Sequence, residues 1–185
     1  MKSNLIYCFI AVIVFIFDCS CNKDPIIYSQ NLIKNPSFEI NGQTTLQNWV
    51  VSDISLTSFS EDVPKGGAKW SLELMSGSTQ GSGAFIGKIE TYITGQSGTN
   101  VYQLSVWMKS LNKWPGSVAI GTFSQNQFIQ QSITGGETQS WEQFILTDTL
   151  TVEKSDTIAV ILSAGTAPVA SGRVRFDLVQ LKKLQ

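Results

Sequence analysis

"VYQLSVWMKS", residues 101–110, decides the fold class. Tyr102, Leu104, Val106 and Met108 fall on one face of an extended chain, and Gln103, Ser105, Trp107 and Lys109 on the other. That is the period of two of a half-buried strand. Working outward, "WSLELM" (70–75), "GAFIGKIETYI" (83–93), "GSVAIGTFS" (116–124), "QFIQQSIT" (127–134), "WEQFILTDTL" (141–150), "TIAVILSA" (157–164) and "RVRFDLVQL" (173–181) share its chemistry. Each is rich in Val, Ile, Thr and aromatics and is bounded by Gly, Ser, Asn or Pro. No stretch keeps an apolar i, i+3, i+4, i+7 face for three turns, so the class is all-β. About eight to ten short strands with turn signals at fairly regular intervals predict two antiparallel sheets packed face to face, a β-sandwich or jelly roll. The absence of an internal repeat argues against propellers and solenoids.

The chain has 185 residues, enough for one domain with a sizeable core. With 13 basic and 14 acidic residues and no basic stripe, it has no electrostatic footprint for nucleic acid. It contains no histidine. Ser-His-Asp and Cys-His catalysis, His-ligated zinc and imidazole acid–base chemistry are thereby excluded.

The N-terminus carries Lys2, an apolar run from Leu5 to Phe17 and a short polar patch ending in Ser20-Cys21. The run fits a signal-peptide core and falls short of the roughly 20 residues of a membrane-spanning helix. Ser20 before Cys21 resembles the lipobox of bacterial lipoproteins, although Asp18 and Cys19 depart from its usual upstream residues. The expectation is a signal over residues 1–20, lipidation of Cys21, a tether over 21–30 and one domain over 31–185. An ordinary secretory signal cleaved near Ser20 is the alternative. Cys8 and Cys19 would leave with the signal, so the mature domain has no cysteine pair to form a disulfide.

From Asn31 onward, five segments in order resemble the CenC-type carbohydrate-binding modules, jelly rolls within the galactose-binding-like folds. They are "NLIKNPSFE" with "NWV" downstream, "GGAKWSLEL", "YQLSVWMKS", "WEQFIL" and "RVRFDLVQL". The resemblance implies a structural calcium joining the first and last strands. Its ligands would be the carboxylates of Glu39 and Asp177, with backbone carbonyls at Ser37, Lys65 and Lys69. Calcium takes six to eight oxygens at about 2.3–2.6 Å, and this donor set has the right chemistry. Some relatives place another acidic side chain in the "KGGAK" turn, where this chain has lysines.

The resemblance also implies a glycan ligand. A sugar presents flat C–H faces ringed by hydroxyls, so its site needs exposed aromatics beside amide side chains. Trp49 and Trp141 read as packing residues. Candidate contacts are Phe85, after a Gly-rich loop, Gln103 and Trp107 on the polar face of 101–110, and Phe123, Asn126, Phe128 and Gln130 about the turn "SQNQ". The expected protein is a non-catalytic, lipid-anchored glycan binder, exported to the outer membrane of a Gram-negative type bacterium. An adhesive domain contacting envelope proteins is the alternative. A glycoside hydrolase would need two carboxylates about 5–9.5 Å apart, and no acidic run suggests them. A lyase could pair Tyr92 with Arg173 or Arg175.

Overall fold

The computed structural model describes residues 30–79, 83–112, 114–165 and 170–184. The expected signal, Cys21 and all but the last residue of the tether lie outside these. Thirteen strands and one short 3₁₀ turn (Ile54–Leu56) make up the described fold. In chain order the strands are β1 (Glu39–Ile40), β2 (Gln43–Thr44), β3 (Val50–Val51), β4 (Thr57–Ser60), β5 (Ser71–Thr79), β6 (Gly83–Ile86) and β7 (Lys88–Ile93). There follow β8 (Gly98–Leu111), β9 (Gly116–Ser124), β10 (Gln127–Gly136), β11 (Glu142–Val152), β12 (Thr157–Ala164) and β13 (Ala170–Leu184).

These form two antiparallel sheets and a small hairpin. A five-stranded sheet runs β10-β9-β12-β7-β3. A six-stranded sheet runs β11-β8-β13-β5-β4, with β6 pairing β5 alongside β4. The β1–β2 hairpin turns through Asn41 and Gly42 at positive φ, the two-residue loop whose twist suits a right-twisted pair.

Strand β8 shows why the sandwich closes. Tyr102, Leu104, Val106 and Met108 are fully buried, and they meet Phe176, Val174 and Leu181 from β13 and Leu72 and Leu74 from β5. The facing sheet supplies Val118 and Ile120 from β9, Ile158, Val160 and Leu162 from β12 and Ile89 from β7. The alternation of 101–110 is thus the alternation between core and outer surface. The stretch 83–93, read as one strand-like run, is divided at Gly87. There the chain leaves β6 in one sheet for β7 in the other, and the Gly87 amide donates to Met75 O and Ser76 Oγ as it crosses.

The first and last segments of the domain are stitched together. Leu32 N donates to Leu181 O, and Asn31 Oδ1 accepts from Leu181 N while Asn31 Nδ2 donates to Val179 O. The "NPSFE" segment is structural as well. Asn35 Nδ2 donates to Thr45 O and Gln47 O, Trp49 Nε1 donates to Asn35 O at 2.9 Å, and the rings of Phe38 and Trp49 pack 5.3 Å apart.

Candidate functional site

On the five-stranded sheet, Val118, Ile120 and Thr122 of β9 point inward, so Ser117, Ala119, Gly121 and Phe123 face out. Register carries that face across the sheet. Gly121 lies beside Gln131 of β10 and Ala159 of β12, and Ala159 lies beside Tyr92 of β7. The centre of the outer face is therefore a layer of Gly and Ala, itself covered, with Ala119 5% and Ala159 0% exposed. Three half-buried rings border it: Tyr92 and Phe123 with centroids 5.2 Å apart, and Phe123 and Phe128 at 5.2 Å, edge to face. Gly121 has to be glycine. A Cβ there would sit 2.2 Å from Gln130 O and 2.9 Å from Phe128 Cδ1.

The same face carries Lys88 and Glu90. Glu90 is ion-paired with Lys88 and accepts the hydroxyl of Tyr92. Burial, and next the Glu90 hydrogen bond and charge, push the Tyr92 phenol up to about 12. Tyr92 therefore stays a neutral donor, with its hydroxyl committed to Glu90. Burial works to raise the Glu90 pKa, but Lys88 and the Tyr92 hydroxyl outweigh it and hold Glu90 below the usual range.

Phe123 and Phe128 are the two sequence-predicted contacts that the fold brings together. Asn126 lies close by, in the two-residue β9–β10 turn at φ 64°. Gln130 is on the other side of β10, beyond a bulge, where its Nε2 donates to Thr149 O at 2.8 Å. Gln103 and Trp107 lie on the outer face of the opposite sheet, and Phe85 lies on β6 in that same sheet. The seven residues do not form one surface. Tyr92, absent from that group, joins the phenylalanines. Its signal was the alternation of Ile89, Thr91 and Ile93 against Lys88, Glu90 and Tyr92, which puts the tyrosine on an outward face.

The outer face of the six-stranded sheet is a paired charge network. Asp62 accepts from Lys109 Nζ, Trp141 Nε1 and Arg175, and Glu73 accepts from Arg173 and Arg175. Burial works to raise the pKa of Asp62, but the donors from Lys109 and Trp141 and the charges of Lys109 and Arg175 prevail and hold it below the usual range. Tyr92 is on the opposite sheet from Arg173 and Arg175, so the fold does not assemble a Tyr–Arg pair from them.

Glu39 and Asp177 come together near the turn over 64–70. Glu39 Oε2 accepts the amides of Lys69 (3.1 Å) and Trp70 (2.9 Å). Asp177 is fully buried, its Oδ1 accepts Leu178 N, and its Oδ2 has no hydrogen-bond partner among the described residues. Burial drives the Asp177 carboxyl up to about 7, the Leu178 amide opposes that, and the negative charge of Glu39 adds to it. Gly67 makes room for the orphaned oxygen, since a Cβ there would lie 2.6 Å from Oδ2. The turn holding Lys65 is closed by Gly67 N donating to Pro64 O, and Ser37 directly precedes Phe38, whose φ is 58°.

No protein-family model and no curated protein sequence matches this chain. Solved structures do. TmCBM61 in complex with β-1,4-galactotriose is 18% identical at a TM-score of 0.58, over 84% of this chain and 100% of that one. The fold is one shared by carbohydrate-binding modules. The CBM22-2 xylan-binding domain of Paenibacillus barcinonensis Xyn10C is 11% identical at a TM-score of 0.57, over 80% and 98% of the two chains. The Stig cyclase Fisc of Fischerella sp. TAU is 15% identical at a TM-score of 0.56, over 85% and 98%. At such identities the likeness is one of fold.

Proposed function

We propose that this protein is a non-catalytic glycan-binding module, of the CenC type that its segments resemble, and that it holds polysaccharide on the outer face of the five-stranded sheet. The observation that carries the reading is the run Tyr92-Phe123-Phe128 bordering a layer of Gly121 and Ala159. Gly121 leaves room for Phe128 to pack against the sheet, and the three rings offer faces for the C–H surfaces of a pyranose. Glu90 on this face is tied to Lys88 and Tyr92, which suits binding better than acid–base chemistry. A glycan array probed with the wild-type protein and with Phe123→Ala tests it. The reading expects binding to at least one polysaccharide and its loss in the variant. Absence of binding to every polysaccharide, with capture of an envelope protein instead, would favour the adhesive alternative.

The proposal includes a structural calcium held by Glu39 and Asp177, with the carbonyls of Ser37, Lys65 and Lys69 as further ligands. Its support is the orphaned, fully buried Asp177 Oδ2, a second carboxylate close enough to raise its pKa, and a glycine that keeps the space beside it clear. Two carboxylates and neutral oxygens suit a hard divalent cation, and such an ion would stabilise the fold without reacting. Cys21 as the lipidated residue, with display at the outer membrane, rests on the N-terminal sequence alone.

A further inference from the structure

Strand β3 is two residues long, and this leaves β7 partly unpaired. Val50 pairs with Glu90 and Val51 with Ile89, and Ser52 N donates to Lys88 O at 3.1 Å. The alternation of an antiparallel ladder sends the peptide groups of residues 88, 90 and 92 toward β3. The chain leaves the ladder at Asn48, whose φ is 70° and whose carbonyl accepts Thr91 Oγ1. The N–H and C=O of Tyr92 are thus directed into a gap with no strand opposite among the described residues. The N-terminal segment closes the far side of this gap, and a cavity of about 340 Å³ remains.

Its walls combine an apolar floor with polar groups. Leu32, Trp49, Val50 and Ile93 supply the apolar surface, and Lys34, Asn48 and Thr94 the polar rim. Lys34 is the sole charged residue in the lining and makes no ion pair among the described residues. The walls are held by bonds already described, Leu32 to Leu181, Trp49 Nε1 to Asn35 and Thr91 to Asn48. Tyr92 both lines this cavity and packs its ring against Phe123, so the cavity and the aromatic face share a residue.

We infer that this cavity takes one carboxylate-bearing sugar unit, a hexuronate, of the glycan that lies on the aromatic face. The inference rests on the glycan-binding reading above and adds to it a charge and a position. A lysine ammonium and a peptide N–H that faces the gap are donors suited to a carboxylate. The Asn48 amide, the Thr94 hydroxyl and the Tyr92 carbonyl can serve ring hydroxyls. The volume is at the small end for ligand pockets, about 300–1,000 Å³, as a single sugar unit requires. Glu90, opposite the lining residue Val50 on the β3 edge, is neutralised by Lys88.

The test is an NMR titration of the ¹⁵N-labelled protein with D-glucuronate and D-galacturonate, and with D-glucose and D-galactose as neutral controls. The expected result is that the amides of Lys34, Asn48 and Tyr92 shift with at least one uronate and at least tenfold less with the neutral sugars. Lys34→Ala should abolish the response and Lys34→Arg keep it. Equal shifts with neutral sugars, no shift with either uronate, or a full response in Lys34→Ala would overturn the inference. Binding of neutral polysaccharide to the aromatic face, read on the array, would survive such a failure, so the two readings fail separately.

Discussion

Asp177 concentrates the residue-scale physics of the molecule. A buried carboxylate oxygen without a donor is costly as an anion, and the Glu39 charge makes it costlier. Without a cation, native Asp177 keeps its proton to about pH 7, whereas in the unfolded chain it releases it near 3.8. The native state then binds more protons across that interval, so the stability of the chelated protein falls as pH rises from about 4 to 7. Calcium favours the carboxylate and opposes that loss. Melting curves with EDTA and with excess calcium are expected to diverge at pH 7.5 and to converge near pH 4.5. Asp177→Asn should flatten the EDTA slope and remove the calcium effect. Gly67→Ala, whose methyl collides with Oδ2, should weaken the calcium effect without touching the aromatic face.

Elements decide which residues can act together. Strand β9 is adjacent to β10 and one strand removed from β7 in a single sheet, so Tyr92, Phe123 and Phe128 form one surface although they come from three segments. Phe123→Ala is expected to lose about 1 kcal/mol or more of binding, roughly fivefold or greater, in a titration with whichever polysaccharide the array identifies. Trp107→Ala, on the other sheet, should leave that affinity within about twofold, the range of a surface change away from the site. In the core, Phe176→Ala should cost about 3–5 kcal/mol in denaturant melts, because β13 packs it with full burial at the centre of the sheet.

The same scale explains what the sequence could reveal. The period of two in 101–110 settled which side chains of β8 are core, since burial on one face imposes that period. The alternation could show that Trp107 and Phe123 both point out of the core, but it could not say that they point out of opposite sheets. Strand order is a non-local property, and β9 beside β12 beside β7 is not written in any one segment. Gln130 shows the same limit at finer grain. A bulge between Phe128 and Gln130 shifts the facing of β10, and "QFIQQSIT" carries no mark of it. Gly67 was legible only as part of a turn, because its close neighbour Asp177 lies on the final strand.

At the scale of the whole molecule, the sandwich presents two unlike outer faces. One is cross-linked by Asp62, Glu73, Lys109, Arg173 and Arg175. The other has small residues, aromatic rings and a cavity at its β3 edge. On the proposed lipidation of Cys21, Cys21→Ser is expected to move the protein from the membrane to the soluble fraction of the cells that make it, read by fractionation and immunoblot.

Whether glycan lies on the five-stranded sheet is read by mapping amide shifts as a bound oligosaccharide is added. Perturbations are expected on β7, β9, β10 and β12, with the β8 and β13 amides about Trp107 and Arg175 still. Perturbations centred on Trp107, or spread evenly over both sheets, would contradict that placement.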